Sequence, residues 1–182
     1  MKTIVRKPYW NYEREETWLN EMAAQGKALT GYSWCRYVFE DAPKGEYIYR
    51  IELLDKHPRH PESKKYIRFV EETGAECVTT YMRWVYFRKR AADGPFDLYT
   101  DIGSRIKHYK RVSTLWHTFA AIELGTAGLN LALFAVDRTA MTRTNMILGC
   151  VLLSFGMLFL LIGAPIRQKL RRLKREKMLR ES

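Results

Sequence analysis

The chain has 182 residues, 47% of them hydrophobic, and 31 Lys and Arg against 20 Asp and Glu give a formal net charge of +11. Residues 1–111 hold 21 basic and 16 acidic residues, 112–166 hold two of each, and 167–182 hold eight basic and two acidic. The surplus therefore brackets an apolar stretch, which argues for a membrane surface and against nucleic acid as the partner of all that positive charge.

Thr3-Ile4-Val5-Arg6 reads as a weak first strand. Glu15 to Gly26 then reads as a short amphipathic helix. Trp18, Leu19, Met22 and Ala23 form one apolar stripe at helical period. Glu13, Glu15 and Glu16 load the first turn, where the helix dipole favours anions, and Gly26 is the left-handed stop. So short a helix needs a surface for its stripe.

Two runs of strand formers follow, 27–32 and 36–40, with a turn near Ser33-Trp34 and a loop at 41–45. The next strand alternates, with Tyr47, Tyr49, Ile51 and Leu53 on one face and Arg50 and Glu52 on the other. His57-Pro58-Arg59-His60-Pro61 breaks it. A second helix spans 62–73, with Tyr66, Ile67, Phe69 and Val70 apolar and Gly74 as its stop. Strands at 76–81 and 84–90 turn at Met82-Arg83.

The halves are related by a shift of 48 residues, which places Trp18 on Tyr66, Leu19 on Ile67, Met22 on Val70, Gly26 on Gly74 and Phe39 on Phe87. The expected fold is α+β, a strand–helix–strand–strand module used twice. Its strands are expected to join into one antiparallel sheet with both helices on one face.

This cytosolic domain is expected over 1–95, closed by Asp93-Gly94-Pro95. A connector over 96–111, helical from Leu98, leads into a first transmembrane helix at 112–136. A short outer loop at 137–145 joins it to a second at 146–166, whose 21 residues carry no charge, enough to cross a core of ~30 Å. A basic cytosolic tail occupies 167–182. Neither span lies where a cleaved signal would. The basic flanks place both ends in the cytoplasm and the chain in the inner (plasma) membrane as a two-pass protein.

Catalytic motifs are missing: no GxSxG, P-loop, HExxH or Gly-rich dinucleotide turn occurs, and the four histidines are scattered. Cys35, Cys77 and Cys150 lack ligand spacing, so neither a metal nor a cofactor is expected, and the first two behave as reduced, small hydrophobes. The expectation is a protein that is not an enzyme.

Three groups of residues remain as candidate sites. An open aromatic sheet face carrying Tyr47, Tyr49, Trp84 and Tyr86 would hold a flat apolar or cationic ligand, although the same rings would serve equally as core. Glu123 is a carboxylate at span depth, with Asn130 on the same helical face, and intramembrane acids mark sites or specify packing. Arg167, Lys169, Arg171, Arg172, Lys174 and Arg175 are placed to contact anionic lipid headgroups. Gly149, Gly156 and Gly163, with the pair Ala121 and Gly125, allow close helix approach, within the hairpin or in a homodimer.

Trp18-Leu19-Asn20-Glu21-Met22-Ala23-Ala24 with Gly26, Tyr37-Val38-Phe39, Gly45-Glu46-Tyr47-Ile48-Tyr49-Arg50-Ile51, Arg83-Trp84-Val85-Tyr86-Phe87-Arg88-Lys89, Asp93-Gly94-Pro95-Phe96 and Ile106-Lys107-His108-Tyr109-Lys110 form a specific set. Over about residues 13–111 the chain resembles the bacterial membrane proteins grouped as domain of unknown function family 2812. That family has no assigned activity. Its members are often encoded beside PadR-type regulators, and the resemblance implies a regulatory or stress-response setting. The element order alone is similar to the gyrase-inhibitor-like fold, a duplicated module that cups small lipophilic cations.

The expected function is a membrane-anchored cytosolic sensor or adaptor that binds a small amphipathic ligand, or a protein partner such as a regulator or transporter, through the aromatic sheet. The alternative is an interaction protein that docks a partner and has no ligand of its own.

Overall fold

Each half of the first hundred residues runs strand, helix, strand, strand. The first half is β1 (Lys2–Arg6), α1 (Tyr12–Ala24), β2 (Lys27–Ser33) and β3 (Arg36–Asp41); the second is β4 (Tyr47–Leu53), α2 (Pro61–Glu72), β5 (Glu76–Tyr81) and β6 (Trp84–Arg90). The computed structural model describes residues 1–136 and 140–181, leaving aside the side chains of 140–142 and 181. It divides into two units, Met1–Thr100 and Asp101–Ser182.

The duplication extends into backbone detail. Both halves make a three-stranded antiparallel sheet of equivalent order, β1-β3-β2 and β4-β6-β5. The register of β2 on β3 shifts between Leu29 and Gly31, and that of β5 on β6 between Cys77 and Thr79, 48 residues on. Gly26 and Gly74 end the two helices at φ 84° and 88°. A Cβ on Gly26 would also lie 2.8 Å from the carbonyl oxygen of Ala42, so this stop is closed to any larger residue. At the hairpin tips Trp34 and Met82, again 48 apart, both take positive φ.

Hydrogen bonding keeps the six strands in two sheets, where a single sheet was expected. Side chains occupy the backbone groups that would have joined them. At Leu29 on the edge strand β2, the N–H donates to the hydroxyl of Tyr49 at 2.8 Å, and the carbonyl accepts from Arg88 Nη1 at 3.3 Å. The outer edge of β4 is closed by α1. Tyr49 N donates to Asn20 Oδ1 at 2.8 Å, and Ile51 N donates to Glu16 Oε2 at 2.8 Å. A strand edge satisfied in this way has nothing left to offer another strand.

The helices accordingly pack on different faces of the second sheet. One core cluster joins Leu19 and Ala23 of α1 to Leu29, Tyr37, Phe39, Tyr49, Ile51 and Tyr86. The other joins Val70 of α2 to Val85, Phe87, Leu54 and Phe96. Tyr86 alternates with Val85 and Phe87 along β6, so the two clusters lie on opposite sides of that sheet. Glu52, on the face opposite Tyr49 and Ile51, is therefore buried and accepts from the Tyr66 hydroxyl.

Local signals set the helix starts. Asn11 caps α1 by accepting from Glu13 N at 2.9 Å, and His60 Nδ1 caps α2 by accepting from Glu62 N at 3.2 Å, with Pro61 in the first turn. After β6 and a 3₁₀ turn at Ala91–Asp93, Phe96 is buried and Leu98 packs beside it. These anchors hold the chain out of helix until α3 (Ile102–Val136). Asp101 caps that helix, accepting from Ser104 N at 2.8 Å, so it starts four residues later than expected from Leu98.

In the second unit α3 packs against α4 (Ala140–Glu181), and both are long and apolar enough to cross a membrane. Of the expected outer loop at 137–145, residues 137–139 lie outside the described residues and the rest is helical. The glycine stripe of α4 faces α3. A Cβ at Gly149 would meet Leu131 at 2.8 Å, at Gly156 Leu124 at 2.7 Å, and at Gly163 Trp116 at 3.3 Å. As the partner numbers fall along α4, the helices run antiparallel. The stripe thus serves the hairpin itself, while Ala121 and Gly125 are exposed, and a Cβ on Gly125 would meet nothing within 4 Å.

Candidate functional site: a buried carboxylate between two tyrosines

The apolar stripe of α1 continues toward its N-terminus onto an acid. Glu15 stands four residues before Leu19 and eight before Ala23, so it faces inward with them and is only 6% exposed. Its Oε1 accepts two hydrogen bonds, from the hydroxyls of Tyr37 and Tyr86, each at 2.7 Å. Tyr37 comes from β3 and Tyr86 from β6, so one oxygen ties together both halves of the unit. Its Oε2 takes no hydrogen bond, and no Lys, Arg or His pairs with this carboxylate among the described residues.

Aromatic rings enclose the acid. Tyr32 lies with its ring centroid 4.7 Å from that of Tyr37, 5.0 Å from Tyr86 and 5.4 Å from Tyr81. Trp18 meets Tyr37 edge-on at 4.8 Å and tilts against Tyr9 at 5.4 Å. On the far side of that pair the Lys7 ammonium sits 4.9 Å from the Tyr9 centroid and 5.1 Å from that of Trp18. The outer rings of this cluster therefore already take a cation from within the chain.

The electrostatics follow from the burial. Loss of water pushes the Glu15 carboxyl above its usual range, against the opposing effect of the two tyrosine hydroxyls. The phenols of Tyr37 and Tyr86 are pushed far up, first by burial and then by the charge of Glu15, so both stay protonated as donors. Glu16 is also raised, mainly by burial, with the Ile51 N–H and Arg50 pulling the other way.

Of the four expected ligand residues, one belongs to this site. Tyr86 contacts Glu15. Tyr49 is fully buried, with its hydroxyl spent on Leu29. The Tyr47 ring is covered by the Arg88 guanidinium, 4.4 Å from its centroid, and Trp84 packs on Tyr12 at 5.5 Å. Glu15, Tyr37, Tyr32 and Trp18 complete the cluster, and the inward register of Glu15 on the Leu19 stripe was the signal that could have found it.

In the other expected groups, Glu123 and Asn130 are both half-buried on α3 and do not bond each other. Asn130 donates to its own helix at Thr126 O, 2.8 Å away, and Glu123 has no partner among the described residues. Arg167, Lys169, Arg171, Arg172, Lys174 and Arg175 are exposed along α4, with Lys169 Nζ 5.6 Å from the Tyr109 ring centroid. The cysteines are free, and burial pushes the Cys77 thiol up to about 11. No group of three His, Cys, Asp or Glu side chains among the described residues is arranged to hold a metal.

A protein-family model described as "Protein of unknown function (DUF2812)" matches residues 11–121. That span takes in Glu15, Tyr37, Tyr86 and the first 20 of the 35 residues of α3. No curated protein and no solved structure matches the chain.

Proposed function

We propose that this chain, which belongs to the DUF2812 family, is a membrane-anchored sensor whose cytosolic unit binds a small lipophilic cation at Glu15. The observation that carries the reading is the unpaired Oε2 of a buried carboxylate inside a ring of tyrosines and Trp18. Carboxylates are seldom buried without a counter-charge, because desolvating the anion is costly. A flat organic cation would supply that charge and the apolar area together. The site is filled by its own rings, so a ligand enters by displacing a tyrosine, and the two hydroxyls on Glu15 are the contacts released. Ligand binding would then change how the two halves are held together, which is what a sensor requires.

In this proposal α3 and α4 are the anchor, with both ends in the cytoplasm, and the setting is regulatory or stress-related. Titration of the full chain in detergent with a panel of aromatic cations, followed by tryptophan fluorescence, tests it. Saturable quenching that Glu15→Gln weakens at least about tenfold is expected, that being the scale of one charge-assisted contact. Binding that is indifferent to Glu15→Gln would dismiss the site.

A second reading, docking of a protein partner, rests on Trp34 and Met82, which stand 77% and 67% exposed at equivalent hairpin tips. Loss of a stoichiometric co-purifying partner in Trp34→Ser with Met82→Ser, with cation binding unchanged, would favour it.

A further inference from the structure

Where α3 and α4 leave the apolar stretch on the side of the basic tail, a groove of about 620 Å³ opens between them. It is lined by Ser113, Thr114, His117 and Thr118 of α3 and by Arg167 and Leu170 of α4, with Ala121 and Ile122 continuing its apolar wall. We infer that this groove is a binding site for the headgroup of one anionic phospholipid, an inference that rests on the proposed membrane anchoring.

The polar groups are set out for an anion. Hydroxyls within apolar helices ordinarily turn back onto the carbonyl four residues earlier. Thr126 does so onto Ile122 O and Ser154 onto Cys150 O, each at 2.9 Å. Thr114 and Thr118 do not, and neither hydroxyl has a hydrogen-bond partner among the described residues. Both donors are left to the groove.

His117 is held in place by its own helix. Its Nδ1 donates to Ser113 O at 2.6 Å, which leaves Nε2 for a second contact. A Cβ on Gly163 would come within 3.4 Å of His117 Cε1, so the glycine is what lets the ring lie against α4. Arg167, the first charge after the uncharged run of α4, has no ion pair among the described residues. A guanidinium with neighbouring hydroxyls matches the oxygens of a phosphodiester. Ala121, Ile122 and Leu170 offer apolar surface to the first carbons of the acyl chains, where a soluble phosphate would bring nothing.

The test uses the full chain extracted from membranes into non-ionic detergent at about 0.15 M salt, with lipid binding read by native mass spectrometry. Wild type is expected to take up one phosphatidylglycerol saturably, and neither phosphatidylcholine nor inorganic phosphate with comparable affinity. Arg167→Gln and the near-isosteric pair Thr114→Val with Thr118→Val should each weaken that binding about tenfold, the scale of lost hydrogen bonds to a charged group. Lys177→Gln removes the same charge about 15 Å further along the helix, beyond a Debye length of about 8 Å, and should change affinity less than about twofold. Equal losses for Arg167→Gln and Lys177→Gln would overturn the groove in favour of general attraction to the tail. Inorganic phosphate binding as tightly as the lipid would make it a soluble-anion site and overturn the lipid assignment. A membrane-extracted chain that binds no phosphatidylglycerol overturns the groove alone, whereas a chain recovered from cells in the detergent-free soluble fraction overturns the anchoring and the groove together.

Discussion

Asn20 hydrogen-bonds to the backbone of Tyr49 in both directions: its Oδ1 accepts from Tyr49 N at 2.8 Å, and its Nδ2 reaches Tyr49 O at 3.2 Å. A side-chain amide here imitates a neighbouring strand. Asn20→Leu keeps the volume and removes both bonds; Tyr49 O keeps the Arg50 Nη1 donor at 2.9 Å, but the Tyr49 N–H is stranded, at a cost of ~1–3 kcal/mol. Denaturant unfolding should show that decrease, and hydrogen exchange at Tyr49 should quicken. Unchanged exchange at this amide would mean that the amide contact does not protect the strand edge.

The pH dependence of stability has a definite sign. Burial raises the folded-state pKa of Glu15 above its ordinary 4.5, and the protonated form is thereby the one that the fold favours. Its contribution is complete below the unfolded value and is lost as pH rises through the raised one. Glu16 is shifted in the same direction. Thermal melts of the full chain in detergent should therefore show wild type losing stability relative to Glu15→Gln as pH climbs from about 4.5, the group's ordinary value. Over the same range the affinity for an organic cation should increase, because the carboxylate becomes charged. Parallel melting curves for the two proteins would contradict the assignment of Glu15.

Tyr37 and Tyr86 share one oxygen of Glu15, so their effects should not add. Tyr37→Phe and Tyr86→Phe each remove a hydrogen bond to a group that carries charge, worth ~1.5–3 kcal/mol. The double substitution leaves the acid unmet, and its cost should depart from the sum of the singles by at least ~0.5 kcal/mol. Repeating the cycle on a Glu15→Gln background checks that the coupling passes through the carboxylate, since it should shrink there.

In the hairpin, two glycines predict opposite outcomes. A Cβ at Gly156 would stand 2.7 Å from the Leu124 side chain and 3.3 Å from its backbone nitrogen, whereas one at Gly125 would meet nothing within 4 Å. Gly156→Val should lower the thermal stability of the helical signal in detergent by ~1–3 kcal/mol through overpacking. Gly125→Ala should leave it unchanged or slightly raised, helped by helix propensity. Circular dichroism of both variants measures this, and equal behaviour would mean that α4 does not approach α3 as closely as described.

Much of the architecture was legible because local signals and the global fold agree. The glycine stops at 26 and 74, the strand pair 76–81 and 84–90 and the 48-residue shift all return in the structure. What escaped depends on contacts between distant segments. The two sheets stay separate because Tyr49 and Arg88 reach Leu29, and no periodicity encodes that. Glu15 and Glu16 at the start of a helix satisfy the dipole rule so well that their second role, turned inward onto Tyr37, Tyr86 and Ile51, is hidden by the first. Alternation put Glu52 on the face opposite Tyr49 and Ile51, and with both helices expected on one face it did not show that α2 covers this one and buries the acid. Among eleven tyrosines and five tryptophans, only tertiary structure selects those around the acid.

The 48-residue repeat has a numerical consequence. The position equivalent to Glu15 is Ser63, equally buried but uncharged, with its hydroxyl donating to Lys56 O at 3.0 Å. Val85 stands where Tyr37 does in the other half, and Val38 where Tyr86 does. Two copies of one module thus assemble a single acid cage from unlike parts. Cation uptake should saturate at one equivalent per chain, and an isolated half would retain none of it.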